Sequence, residues 1–188
     1  MQQSTEANSD TGEARWYAVS TRSRQEKVIA LALEGLGIPH FLPLIEEQRQ
    51  WSDRRKTVSV PLFPGYLFVR TGRAAESQLR LRKISGVVDL VRSHKGPVEV
   101  PESEIASVRT LLARGIRCSP HPFPEAGDRV RVVRGALAGI EGVFVRCGAQ
   151  ASLVISVDVI RRSVSVNVAA ADVEPLLVST PQTQRLSA

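Results

Sequence analysis

Every second residue from 120 to 124 is proline: Pro120, Pro122 and Pro124. A proline ring fixes φ and removes the amide donor, so this stretch resists regular structure and stays extended. N-terminal to it, apolar residues recur with strand and helix periods in turn; C-terminal to it they are mostly valine and isoleucine in short alternating runs. A chain of 188 residues broken in this way reads as two units. The first is an α+β domain over 15–115 and the second a small all-β domain over 126–176, joined by a linker at 116–125. The polar tails, 1–14 and 177–188, are expected to be disordered.

In the first unit, Trp16, Tyr17, Ala18 and Val19 read as a strand. From Arg24 the period changes. Val28, Ala32 and Leu36, with Ile29 and Leu33, mark one face of a helix that Gly35 and Gly37 stop. Extended segments at 38–44 and 57–69 flank a polar arm, 46–56, which carries Arg49, Arg54, Arg55 and Lys56 and is expected to project as a hairpin. A short helix over about 75–84 and a strand at 87–91 follow, then a turn at Lys95, Gly96 and Pro97. A third helix enters through Pro101, with Glu102 and Glu104 in the first turn, where the helix dipole favours negative charge. Ile105, Val108, Leu111 and Leu112 form its apolar stripe. The order predicts one antiparallel sheet flanked by helices, mainly on one side.

In the second unit, Val130 and Val132, Val143 and Val145, residues 154–159, residues 164–168 and Val173 make five short strands, the pattern of a small barrel. Gly135, Gly139 and Gly142 fall in a loop between two of them, where positive φ and close backbone approach are needed.

The run Leu62, Phe63, Pro64, Gly65, Tyr66, Leu67, Phe68, Val69 carries apolar side chains on both faces of one strand. Leu67 and Val69 point one way, Tyr66 and Phe68 the other. Pro64 and Gly65 mark a bend at its entrance, which carries Phe63 out of register. One face suits a core; the other is either buried in the same domain or kept for a partner.

Little in the chain suggests catalysis. It has no GxSxG, P-loop or HExxH motif, and Asp128 and Asp158 read as turn or strand-edge residues. Cys118 and Cys147 stand 29 positions apart, and His40, His94 and His121 are scattered, so neither a metal site nor a disulfide framework is expected. The chain is read as a non-enzyme without cofactor, cytoplasmic, monomeric and with no membrane span. Its net charge of +6 favours a polyanionic neighbour. Arg70, Arg73, Arg80, Arg82, Lys83 and Arg92 concentrate that charge around the short helix, as a phosphate footprint or as an ordinary solvated face.

The Trp16 strand, the Phe63-Pro64-Gly65-Tyr66 motif and the glycine loop, in this order, resemble the NusG transcription elongation factors, from about Arg15 to Leu176. That resemblance implies an N-terminal NGN domain followed by an SH3-like KOW barrel. It also implies docking of an apolar depression, made here by Phe63, Pro64, Gly65, Tyr66 and Phe68 with Ile105 and Val108 at its edge, onto the clamp helices of the largest RNA polymerase subunit. Such docking would hold the clamp closed and suppress pausing. Arg22, Arg73, Arg80, Arg82 and Lys83 would lie near the non-template or upstream DNA.

The His-Thr-Thr triplet of the RfaH subgroup is absent, its place taken by Ser77, Gln78 and Leu79. Even so, His121-Pro122-Phe123 and the segment from Arg161 to Val166 resemble the specialised RfaH and UpxY-type paralogues more than housekeeping NusG. The implied KOW partners are ribosomal protein S10 or Rho, though Val159-Ile160-Arg161-Arg162 departs from the usual loop. In RfaH that domain can refold and mask the docking surface; the valine-rich strands here argue for a stable β domain. An RNA- or ribosome-binding KOW protein is the rival reading.

Overall fold

The computed structural model describes residues 13–51, 54–72, 75–121, 124, 127–147 and 150–176. Both expected tails, apart from residues 13 and 14, lie outside these, as does Arg73. In the N-terminal unit β1 (Arg15–Thr21) is followed by α1 (Glu26–Gly35), β2 (His40–Phe41), β3 (Leu44–Trp51), β4 (Arg54–Pro61) and β5 (Tyr66–Thr71). Then come α2 (Ala75–Arg82), β6 (Val87–Leu90), the two-residue strands β7 (Arg92–Ser93), β8 (Gly96–Pro97) and β9 (Glu99–Val100), and α3 (Glu102–Ala113).

β1 is the central strand. It pairs antiparallel with β5 on one side and with β6 and β9 on the other, while β2 extends the sheet beyond β5. Alternation along β1 and β5 divides their side chains between two cores. Tyr17, Val19, Leu67 and Val69 are buried with Ile29, Leu33, Leu81, Ile84 and Leu90, under α1 and α2. Trp16, Ala18 and Phe68 are buried on the other face with Leu62, Phe63 and three α3 residues, Ile105, Val108 and Leu111. The helices therefore cover both faces, not mainly one. The stripe on α3 was legible, but which face it would cover was not.

The apolar arc of α1 is wider than one sheet face can cover. Ile29 and Leu33 are buried, whereas Val28 and Leu36, assigned to the same face, are exposed. The expected extended segment over 57–69 is interrupted by a turn between β4 and β5.

The C-terminal unit contains β10 (Ser119–His121), β11 (Asp128–Val132), β12 (Glu141–Cys147), β13 (Gln150–Val157), β14 (Arg162–Asn167) and β15 (Val173–Pro175), in the sheet order β10-β14-β13-β12-β11-β15. All five expected strands form. The sixth, β10, comes from the stretch read as a free linker and pairs with β14, His121 opposite Ser163. An edge position makes this possible, because a proline there forfeits no ladder bond on its open side. Gly135 and Gly139 have φ of +76° and +88°. Gly142 answers a different need: a Cβ there would meet the Val154 carbonyl oxygen at 2.5 Å.

Candidate functional site

The bend at Phe63 is a tight turn. Tyr66 N–H donates to the Phe63 carbonyl at 3.1 Å, Pro64 holds the second position, and Gly65 has φ of +85°. Pro followed by a positive-φ glycine is the type II arrangement, one that a Cβ-bearing residue at position 65 would strain. Both polar groups of Gly65 are held by the start of the chain. Its N–H donates to Glu26 Oε1 at 2.7 Å, and its carbonyl accepts from Thr21 N–H at 2.9 Å. Glu26 is only 4% exposed. Sequence reading missed it, because an acidic residue in a first helical turn looks like ordinary dipole compensation.

The turn leaves Pro64 exposed and Tyr66 half-buried. Phe63, at 2% exposure, packs edge-on to Phe68 with ring centroids 6.1 Å apart, and Phe41 stacks on Phe68 at 6.2 Å. Ile105 and Val108 are buried as well, so of the expected docking residues only Pro64, Gly65 and Tyr66 reach the surface. Arg109 of α3 places its guanidinium 4.7 Å from the Trp16 ring centroid and 4.9 Å from that of Phe41. Trp16 Nε1–H donates to Glu102 Oε2 at 2.8 Å, a second tie between α3 and the sheet. Nothing in the sequence pairs Arg109 with rings so distant along the chain.

The apolar cluster beneath α3 continues into the C-terminal sheet through Val130, Ile155, Val157 and Ile160. A polar seam runs beside it. Glu104 Oε2 accepts the Asp158 N–H at 3.2 Å, and the Arg114 side chain donates to the Ala136 carbonyl. Burial, with the Asp158 charge as a second cause, pushes the Glu104 carboxyl up to about 7 against the opposing pull of the Asp158 N–H and Arg129. Between α3 and the C-terminal sheet lies a cleft of about 570 Å³, with Ser107, Thr110 and Arg114 on one wall and Arg129, Glu141 and Asp158 on the other.

The basic residues sit elsewhere. Arg22, Arg80, Arg82 and Lys83 are exposed. Arg82 is engaged by Asp89, with Nε 2.7 Å from Oδ1. Burial pulls the Asp89 carboxyl up, but the Arg82 hydrogen bond, the Leu90 N–H and the charges of Arg82 and Arg92 together hold it below its usual range. Gly135 and Gly139 belong to the turn from β11 into β12 and Gly142 to β12 itself, all in the C-terminal unit, whereas these cations belong to the N-terminal one. Burial raises the Cys118 thiol, with a backbone hydrogen bond in partial opposition, so this thiol is poorly reactive. Among the described residues no group of side chains could hold a metal ion, and no helix is long and apolar enough to cross a membrane.

The family model described as transcription termination factor NusG matches residues 14–109, which take in β1, the Phe63 turn and most of α3. The chain belongs to the NusG family. Similar proteins include the transcription termination/antitermination protein NusG of Helicobacter pylori strain J99, 22% identical over 86% of this chain and 98% of the relative. The protein of that name in Chlamydia pneumoniae is 29% identical over 68% of this chain and 75% of its own length. A solved structure described as domain interaction in Thermotoga maritima NusG superposes with a TM-score of 0.52 at 21% identity, covering 87% of this chain and 97% of that one. NusG membership thus extends to the fold, an α+β unit followed by a β unit.

Proposed function

We propose that this chain is a transcription elongation and antitermination factor that acts without catalysis by docking on the clamp helices of the largest RNA polymerase subunit. The observation that carries this reading is the pinned Phe63–Tyr66 turn within the NusG-matched region. It sets Pro64 and Tyr66 at the rim of a continuous apolar cluster, an arrangement suited to seating a helix pair by a few apolar anchors. Phe63, Phe68, Ile105 and Val108 form the floor beneath those anchors. Arg22, Arg80 and Lys83 face solvent, where they can follow DNA phosphates beside the polymerase, and Arg82 would join them only on exchanging Asp89 for a phosphate. The C-terminal unit is assigned as an SH3-like KOW barrel whose partner is ribosomal protein S10 or Rho.

An operon-restricted role in the manner of RfaH and UpxY-type proteins is the finer part of the proposal. Of the two segments behind that resemblance, Pro122 and Phe123 lie outside the described residues, while His121 lies opposite Ser163 where β10 pairs with β14. Calorimetry of the full chain against a clamp-helix fragment tests the docking. Tyr66→Ala is expected to reduce binding at least tenfold with the thermal midpoint little changed; undiminished binding would overturn the assignment. Transcript profiling of a deletion strain tests the finer part, since a restricted factor alters read-through in few operons and a housekeeping one in many.

A further inference from the structure

The arm between the two halves of the N-terminal sheet is a free-standing ribbon. β3 and β4 pair only with each other, in an unbroken register from Leu44 opposite Pro61 to Trp51 opposite Arg54. Its base is anchored, with Leu44 and Ile45 partly buried, and the Lys27 ammonium donates to the Ser59 carbonyl at 2.7 Å. From Glu46 outward the β3 residues with described side chains are exposed, whereas on β4 Val58 and Val60 are half-buried and Glu46, Glu47, Gln48 and Thr57 line a cleft with Leu112 and Ile116 at the end of α3. Beyond Gln48 and Thr57 the described side chains, Arg49, Gln50, Arg55 and Lys56, are all exposed. A two-stranded ribbon of this kind is marginal on its own account.

Charge is distributed unevenly along it. The base carries Glu46 and Glu47, whereas residues 48–57 carry Arg49, Arg54, Arg55 and Lys56 against Asp53 alone. Arg49 stands directly opposite Lys56, a like-charge cross-strand pair that destabilises a ribbon in water. Glu47, two residues before Arg49, takes up its guanidinium at 3.0 Å, but Arg55 and Lys56 form no ion pair with any described residue. Strand alternation puts Lys56 on one face and Arg55 on the other. Cations on both faces of a two-stranded ribbon match the two phosphate walls of a B-form major groove, which is about 12 Å wide and admits such a ribbon.

We propose that the outer half of the β3–β4 ribbon is a duplex-DNA binding element that enters the major groove and contacts phosphates on both walls through Arg55 and Lys56. This site is distinct from the α2 cations. The ribbon leaves the sheet at its β2 edge, whereas α2 leads into β6 at the opposite edge. It also does not depend on polymerase docking, and its test contains no polymerase.

The test is fluorescence anisotropy of the full chain on labelled 20-mers of duplex DNA, duplex RNA and single-stranded DNA across a series of salt concentrations. For R55Q/K56Q, duplex-DNA affinity at 100 mM salt is expected to fall about tenfold and the log–log salt slope to shrink by about 1.8, or about 0.9 for each phosphate no longer neutralised. Lys95→Gln, which removes an exposed cation from the β7–β8 turn, should alter affinity less than twofold. Duplex RNA, whose major groove is too narrow to admit the ribbon, should bind more weakly than duplex DNA. Both ribbon residues are exposed, so an unchanged melting curve will confirm that the variant is folded. An unchanged slope and affinity in R55Q/K56Q would overturn the proposal, as would single-stranded DNA or duplex RNA binding as tightly as duplex DNA.

Discussion

Gly65 and Glu26 together show how a surface turn can depend on a buried charge. The glycine supplies a φ of +85° and the carboxylate receives its N–H, so the two substitutions fail for different reasons. Gly65→Ala is expected to cost about 1–2 kcal/mol through left-handed strain, although open space surrounds the added methyl. Glu26→Ala is expected to cost about 1–3 kcal/mol by leaving the part-buried amide without its acceptor. Urea denaturation measures both. Phe63 is a different case. At 2% exposure, Phe63→Ala excavates the core and should lose about 3–5 kcal/mol, so weakened polymerase binding in that variant would report unfolding, whereas Tyr66→Ala reports contact.

At the scale of elements, what could be read from the sequence followed what is local. The periods of β1, α1 and α3, the glycine loop and the valine-rich strands each rest on neighbours within a few residues, and each forms as expected. The two-faced strand was also legible, since Leu67 and Val69 pair against Val19 and Tyr17 over a core that α1 and α2 close. Coverage was not legible. Nothing local states that α3 crosses to the opposite face, that Val28 and Leu36 stay in water, or that a proline-rich connector donates β10. Those outcomes depend on competition among surfaces far apart in the chain, and so do the Arg109 contacts. Arg109 bridges Trp16 of β1 and Phe41 of β2, which ties α3 across the strand that separates them. Arg109→Ala is expected to cost about 1–2 kcal/mol in thermal unfolding, and Arg109→Lys should recover only part, since an ammonium lacks the planar surface that two rings can sandwich.

At the scale of the molecule, the α3 seam is sensitive to pH. Glu104 titrates near 7 in the folded chain against 4.5 when unperturbed, so the folded arrangement favours its protonated form. The stability this confers is fully present below about pH 4.5 and is lost as pH rises through 7, where the carboxylate forms beside Asp158 with only Arg129 and the Asp158 N–H in compensation. Hydrogen exchange in α3 and β13 is therefore expected to be slower at pH 6 than at pH 8 once corrected for intrinsic rates, and Glu104→Gln should flatten that difference. The recruitment of Ser119–His121 into β10 bears on the same seam. Only residues 114–118 remain between the end of α3 and that strand, a span of roughly 17 Å when fully stretched. A tether that short keeps the C-terminal unit at a local concentration on the order of millimolar. A partner seeking the α3 side of the molecule meets a resident competitor at that concentration, and even a seam of about millimolar intrinsic strength would be closed about half the time.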